Sequence, residues 1–217
     1  MIRLNLDASA KEELQILCLG SHADDIEIGC GGTILRLAEQ HPGCVFHWVV
    51  FSASGPRRAE AERSATLFAG PTRLKGPLLK TFTDGFMPFV GAEVKAAFEE
   101  LKQFVEPDLI LTHNHEDAHQ DHRLVSELTW NTFRDHLILE YEIPKYDGDL
   151  GRPNVFVPLE QEVCQKKICH IMGCFPSQHT KRWFQEDTFR SIMRLRGMEC
   201  NAPSGYAEAF YCRKLVL

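Results

Sequence analysis

The chain has no uninterrupted apolar stretch near the roughly 18 residues that a helix needs to cross a bilayer. A spanning membrane protein is therefore excluded at the level of sequence. Basic charge is also scarce: 24 Lys and Arg stand against 30 Asp and Glu, for a formal net charge of -6. That balance argues against nucleic acid as a partner, because backbone binding is driven by cations that displace counterions. No Cys-x-x-Cys pair occurs among the eight cysteines, so a zinc ribbon is not expected. Cys164, Cys169 and Cys174 recur every fifth residue, a spacing that drifts around a helix and does not converge on one ion. Asp7, Lys11, Glu12 and Glu13 fall where a secretory signal would need a continuous apolar segment. The expectation is a cytoplasmic protein with reduced thiols. What remains is ordinary globular composition, 44% hydrophobic, 25% charged and 10% aromatic over 217 residues. That length predicts one domain, 1–217.

Apolar runs alternate with helical patterns over the first two-thirds. Gln15 to Leu19, Cys44 to Phe51 and Asp108 to Thr112 read as short buried strands. Between them, 33–40, 57–69 and 92–105 read as helices, the last placing Val94, Phe98, Leu101 and Val105 on one face. This βαβα order predicts an α/β fold, a Rossmann-like three-layer sandwich with a mainly parallel sheet that binds ligand at the carboxyl ends of its strands. From 140 onward the chain turns rich in Gly, Pro and Asp. Val155 to Val157, a helical stretch from Leu159 to Cys174 and a strand-like run from Glu208 then read as a wall completing a pocket.

Two segments carry candidate chemistry. After the first strand come His22, Asp24 and Asp25, followed by Gly29, Gly31 and Gly32. A dinucleotide fingerprint would need a third glycine at position 34, which is Ile34, and the carboxylates would repel pyrophosphate. Alone, the His22 to Asp25 segment is equally a polar turn capping a helix. After the third strand, however, His113, His115, His119 and His122 fall within ten residues, together with Asp117 and Asp121. Imidazoles and carboxylates at two adjacent strand ends are the donor set of a divalent metal. His113, His115 and Asp117 begin like the H-x-H-x-D-H signature of dinuclear hydrolases, but Ala118 occupies the place of its last histidine.

The pairing of H-x-D-D at His22, Asp24 and Asp25 with H-x-D-H at His119, Asp121 and His122 resembles the PIG-L/LmbE-like family of zinc-dependent N-deacetylases. The resemblance extends to Glu27 and the glycines up to Thr33, to Arg58 and Glu60, to Asp84 and Gly85, and to Arg196, Gly197 and the segment from Tyr206 to Phe210. Ala23 and Ser21 replace prolines that many members carry, which loosens the turn without removing a donor.

The resemblance implies His22, Asp25 and His122 as metal ligands and Asp24 as general base. His119 becomes the oxyanion partner, as an imidazolium oriented by Asp121. It implies one Zn²⁺ per chain, or another divalent ion such as Fe²⁺, and a small-molecule amino-sugar conjugate as substrate, deacetylated to acetate and a free amine. Cleavage of a larger sugar-thiol amide is the alternative, and a homo-oligomer is compatible with either. The expected substrate contacts each have a second reading. Arg58 is a sugar or phosphate donor or a solvated helix charge. Asp84 accepts from sugar hydroxyls or simply makes a turn. Tyr206 and Glu208 line the pocket or pair across a sheet edge.

Overall fold

Alternation along the first strand, β1 (Leu14–His22), decides how many layers the fold has. Successive side chains of a strand point to opposite faces. Ile16 and Cys18 on one face and Leu17 and Leu19 on the other are all fully buried. Both faces of the sheet therefore need a covering layer. The computed structural model describes residues 13–216, so Asp7, Lys11 and Glu12 of the signal argument lie outside the described residues.

Helices α1 (Asp25–Gln40) and α2 (Pro56–Ala69) follow β1 and β2 (Cys44–Ser52). With α5 (Gln161–Cys174) and α6 (Glu186–Glu199) they cover the face of Ile16 and Cys18. The opposite face, with Leu17 and Leu19, is closed by α3 (Gly91–Phe104) and α4 (Gln120–Thr132). The seven-stranded sheet has the order β3 (Leu74–Leu79), β2, β1, β4 (Leu109–His113), β5 (Leu137–Tyr141), β7 (Ala207–Tyr211), β6 (Val155–Pro158). The first five pair in parallel, whereas β7 pairs antiparallel with both β5 and β6. The Rossmann-like sandwich is thus as expected, and the last third of the chain extends the same sheet. Strand order reverses direction between β1 and β4, which are paired neighbours. A switch point of this kind opens a crevice beyond the strand ends, and both motif-bearing loops leave the sheet there.

Helix α1 begins eight residues before the expected start at Thr33, with Asp25, and it kinks at Cys30 (φ -142°, ψ 16°). The kink releases the N–H groups of Gly32 and Thr33, which donate to the Glu208 carboxylate at 2.7 and 2.6 Å. Thr33 Oγ1 and Lys167 Nζ also bind that carboxylate, both at 2.6 Å. The glycines are explained by close approach rather than by phosphate binding: a Cβ on Gly29 would lie 2.2 Å from the Tyr141 ring. Glu208, expected to line a pocket, is therefore a core residue, 4% exposed and fully engaged. Replacing it with alanine strands the Lys167 ammonium and two helix N–H groups. Glu208→Ala is expected to lower unfolding free energy by about 3–5 kcal/mol, measured as a shift in urea midpoint.

Other elements also depart from the sequence reading. The strand before the Gly, Pro and Asp-rich loop starts at Leu137 and buries Glu140, which accepts from Trp130 Nε1 and, at 3.0 Å, from His115 Nδ1. Strand β3 and helices α4 and α6 have no counterpart among the elements expected from the sequence. All eight cysteines are free, with Cys164 and Cys174 buried and Cys169 exposed on α5. Among the described residues no helix is long and apolar enough to cross a membrane.

Candidate metal centre

The β1 end brings His22, Asp24 and Asp25 into the crevice, and the loop between β4 and α4 brings His119, Asp121 and His122 beside them. His22 Nδ1 lies 3.2 Å from His122 Nε2 and 3.3 Å from Asp25 Oδ2, and the last two atoms are 3.5 Å apart. Donors bound at about 2.0–2.1 Å around a tetrahedral ion are separated by roughly 3.3 Å, so this triangle has the size that an ion requires.

The outward nitrogens fix which lone pairs face that triangle. His22 Nε2 is 3.2 Å from Asp121 Oδ2 and 3.0 Å from Asp84 Oδ1, while His122 Nδ1 is 3.0 Å from Asp117 Oδ2. With those nitrogens donating to the carboxylates, His22 Nδ1 and His122 Nε2 are the atoms directed at an ion. Asp25 Oδ2 is held by the His22 N–H at 2.6 Å. Burial alone would raise the Asp25 carboxyl, but the imidazoles of His122, His113 and His22 hold it well below the ordinary range. Burial, reinforced by His113, lowers His122 and favours its neutral form. His22 shows the opposite balance: burial would lower it, but Asp25, Asp121 and Asp84 outweigh burial and raise its proton affinity. That same field of carboxylates attracts a divalent cation.

Side chains close enough to share an ion also form the overlapping groups His22, His119 and His122; His22, Asp84, His119 and Asp121; and Asp25, His113 and His122. The other hydrogen bonds select among them. His113 Nε2 accepts from the Ser21 N–H at 3.0 Å, so its lone pair is already used. His115 turns to Glu140, and Asp117 is shared between His122 and Lys145 Nζ, the latter at 2.9 Å. His113, His115 and Asp117 thus diverge, and the dinuclear arrangement does not assemble.

His119 caps α4 through its side chain: Nδ1 accepts from the Asp121 N–H at 3.2 Å. A ring that accepts at Nδ1 is the neutral tautomer with its proton on Nε2, and burial together with His122 and His22 lowers its proton affinity. This corrects the expectation of an imidazolium oriented by the Asp121 carboxylate. That carboxylate lies near the His119 ring but makes its hydrogen bonds elsewhere, accepting from His22 Nε2 and from the N–H groups of Gly85 and Met87 at 2.7 and 3.1 Å. Its partner is the His22 ring. Asp121→Asn is accordingly expected to weaken metal affinity about 10–100-fold, read by competition with a chelating dye.

The arginine beside Asp24 is Arg57, whose Nη2 pairs with Asp24 Oδ1 and whose guanidinium lies 5.9 Å from the Phe175 ring centroid. Arg58 is half exposed, paired with Glu62 at 3.2 Å along its own helix. It is the solvated helix charge, not the site donor, because one step along a helix turns a side chain by roughly 100°. The sequence offered two adjacent arginines, and only the tertiary placement of α2 distinguished them. Asp84 reaches the site edge, 70% exposed, and the His22 contact draws its carboxyl down to about 2. Tyr206 packs partly buried against the core, with Arg194 6.0 Å from its ring centroid; no contact joins it to the metal centre.

The family model for PIG-L, described as GlcNAc-PI de-N-acetylase, matches residues 17–133. That span includes more than half of the chain and both loops of the site. The chain belongs to the PIG-L family. An *Escherichia coli* K12 protein described as an uncharacterized deacetylase, YaiS, is 28% identical over 176 residues, which cover 76% of this chain and 92% of its own. Among solved structures, N,N'-diacetylchitobiose deacetylase from Pyrococcus horikoshii is similar, with a TM-score of 0.68, 20% identity and coverage of 96% of this chain and 86% of its own. GalB, the 4-carboxy-2-hydroxymuconate hydratase of Pseudomonas putida KT2440, also has a TM-score of 0.68, at 18% identity with coverage of 94% and 98%. A deacetylase and a hydratase thus share this fold, so the fold alone does not name the reaction, which has to be argued from the site.

Proposed function

We propose that this protein is a metal-dependent deacetylase that hydrolyses the acetamide of an N-acetylated amino-sugar conjugate, giving acetate and a free amine. The observation that carries the reading is the convergence of His22 Nδ1, His122 Nε2 and Asp25 Oδ2 on one point, each oriented by a hydrogen bond behind it. These three residues would hold one Zn²⁺, or another divalent ion such as Fe²⁺. When bound, the ion supplies Lewis acidity to a water molecule and to the amide carbonyl.

The protein's own groups then divide the proton work. Asp24 Oδ1 is engaged by Arg57, so Oδ2 is the oxygen that takes a proton from the attacking water. The neutral His119 donates its Nε2–H to the carbonyl oxygen as negative charge develops there. A neutral imidazole already serving as a helix cap is a poor acid, so Asp24 returns its proton to the departing amine. The segments after residue 140 complete the pocket wall, with Phe175 behind Arg57. The family membership and the deacetylase descriptions of its relatives support the reaction class.

The direct test is to incubate zinc-loaded protein with N-acetylglucosamine glycosides and assay acetate and new primary amine together. Release of both in equal amounts is expected; their absence across the panel rejects the reading. The amidase alternative is tested on amides of the same amino sugar with larger acyl groups, where release of the larger acid, with no acetate from the N-acetyl glycosides, identifies it. His119→Ala is expected to retain metal while kcat falls about 10²–10³-fold, the cost of one oxyanion donor. Loss of metal in that variant would instead make His119 a ligand.

A further inference from the structure

Two phenylalanines are left exposed on a turn whose backbone binds Asp121 and is otherwise held rigidly. Phe86 and Phe89 are 58% and 80% exposed, with ring centroids 6.0 Å apart. Between them Met87 is fully buried in the core beneath α3 and α4, so the 3-10 turn Met87–Val90 is anchored by that side chain and not by the two rings. The backbone is fixed as well. Phe86 N donates to Thr83 O at 3.1 Å, Phe89 N to Phe86 O at 3.0 Å, and the N–H groups of Gly85 and Met87 bind Asp121, the partner of His22. Asp84, one residue before that Gly85 contact, reaches His22 itself at 3.0 Å. The rings are therefore carried by the segment whose backbone and Asp84 support a metal-facing imidazole. Phe104 is equally exposed, but it ends α3 at the opposite pole, where the chain returns to enter β4. A single exposed ring of that kind is ordinary surface, whereas two neighbouring rings on the turn that holds Asp121 and His22 are not.

The charges around the turn narrow what the rings can receive. Lys80, which precedes the turn, pairs with Glu100 at 3.1 Å, and Lys95, which follows it, pairs with Glu99 at 2.5 Å. Asp84 itself is negative, and Arg57 is engaged by Asp24. Among the described residues this edge offers two aromatic faces and a carboxylate, with its neighbouring cations already paired. Such an edge suits a neutral apolar group and disfavours a phosphate.

We propose that Phe86 and Phe89 form an aglycone subsite, a platform for an uncharged apolar group carried by the N-acetylated sugar. The inference rests on the deacetylase reading of the same site and specifies its substrate class. The apolar group is an alkyl chain or an aryl ring, and both share the property that matters, the area they remove from water on the two rings.

The test compares methyl, octyl and phenyl β-glycosides of N-acetylglucosamine, all below any micellar concentration, with the wild-type protein and with Phe86→Ser/Phe89→Ser. Both positions are exposed, so the variant keeps its core. The wild type is expected to favour an apolar glycoside over the methyl one by about tenfold in kcat/KM, through lower KM. The double variant should bring that ratio close to one. Preference for octyl alone assigns an alkyl source, and preference for phenyl an aryl source. A wild-type ratio near one, a ratio that survives the double substitution, or a preference for an anionic glycosyl phosphate over the octyl glycoside would overturn the proposal. So would sedimentation with neutral phosphatidylcholine vesicles that the double variant abolishes, because the rings would then address a bilayer. If no glycoside is deacetylated, the reaction assignment fails separately. Calorimetric binding of octyl against methyl glycoside then still decides whether the platform exists.

Discussion

His22→Ala, Asp25→Ala and His122→Ala are each expected to reduce bound metal from about one ion per chain to a small fraction after dialysis, and to abolish turnover with it. Each substitution removes one of three protein donors from a site that keeps its remaining positions open for water and substrate, so little is left to retain the ion. The loss also exposes the surrounding arrangement. Without Asp25, the imidazoles of His22, His113 and His122 lose the carboxylate they share, and without His22 the Asp121 and Asp84 carboxylates lose a shared donor. Elemental analysis after gel filtration measures the outcome. Any of the three variants that binds metal as the wild type does removes that residue from the ligand set. Retention of metal in two of them would return the choice to the other overlapping groups.

Asp24→Asn should separate chemistry from binding. Asparagine keeps the side-chain shape and an oxygen for Arg57, but it cannot take up a proton at neutral pH. Metal content should be unchanged and kcat should fall about 10²–10⁴-fold, the usual contribution of a positioned general base. KM should move little if substrate binding is the same in ground and transition states. Wild-type turnover in this variant would show that another group takes the proton. Metal loss would show that Asp24, buried next to Asp25, belongs to the ligand set after all.

The sequence by itself determined the layers and the place of the site. Short apolar runs alternating with amphipathic helices can bury both strand faces in only a few ways, and Val94, Phe98, Leu101 and Val105 are all buried where their spacing put them. The candidate donor residues stood out because their chemistry is uncommon outside metal sites, and adjacent parallel strands deliver both loops to one crevice. What each donor does was decided by tertiary structure. His22 Nδ1 and His122 Nε2 point at one place because Asp121 and Asp117 sit behind the opposite ring nitrogens, and His119 Nδ1 is occupied because it caps a helix. Arg57 and not Arg58 reaches Asp24, since the rotation of α2 against the core chooses between neighbours. Glu208 looked like a pocket residue because its strand alternates. Its buried ion pair with Lys167 and its hold on the kink of α1 depend on residues 41 and 175 positions away. Local pattern records which face a side chain takes, whereas the partner on that face is set by packing between segments distant in the chain.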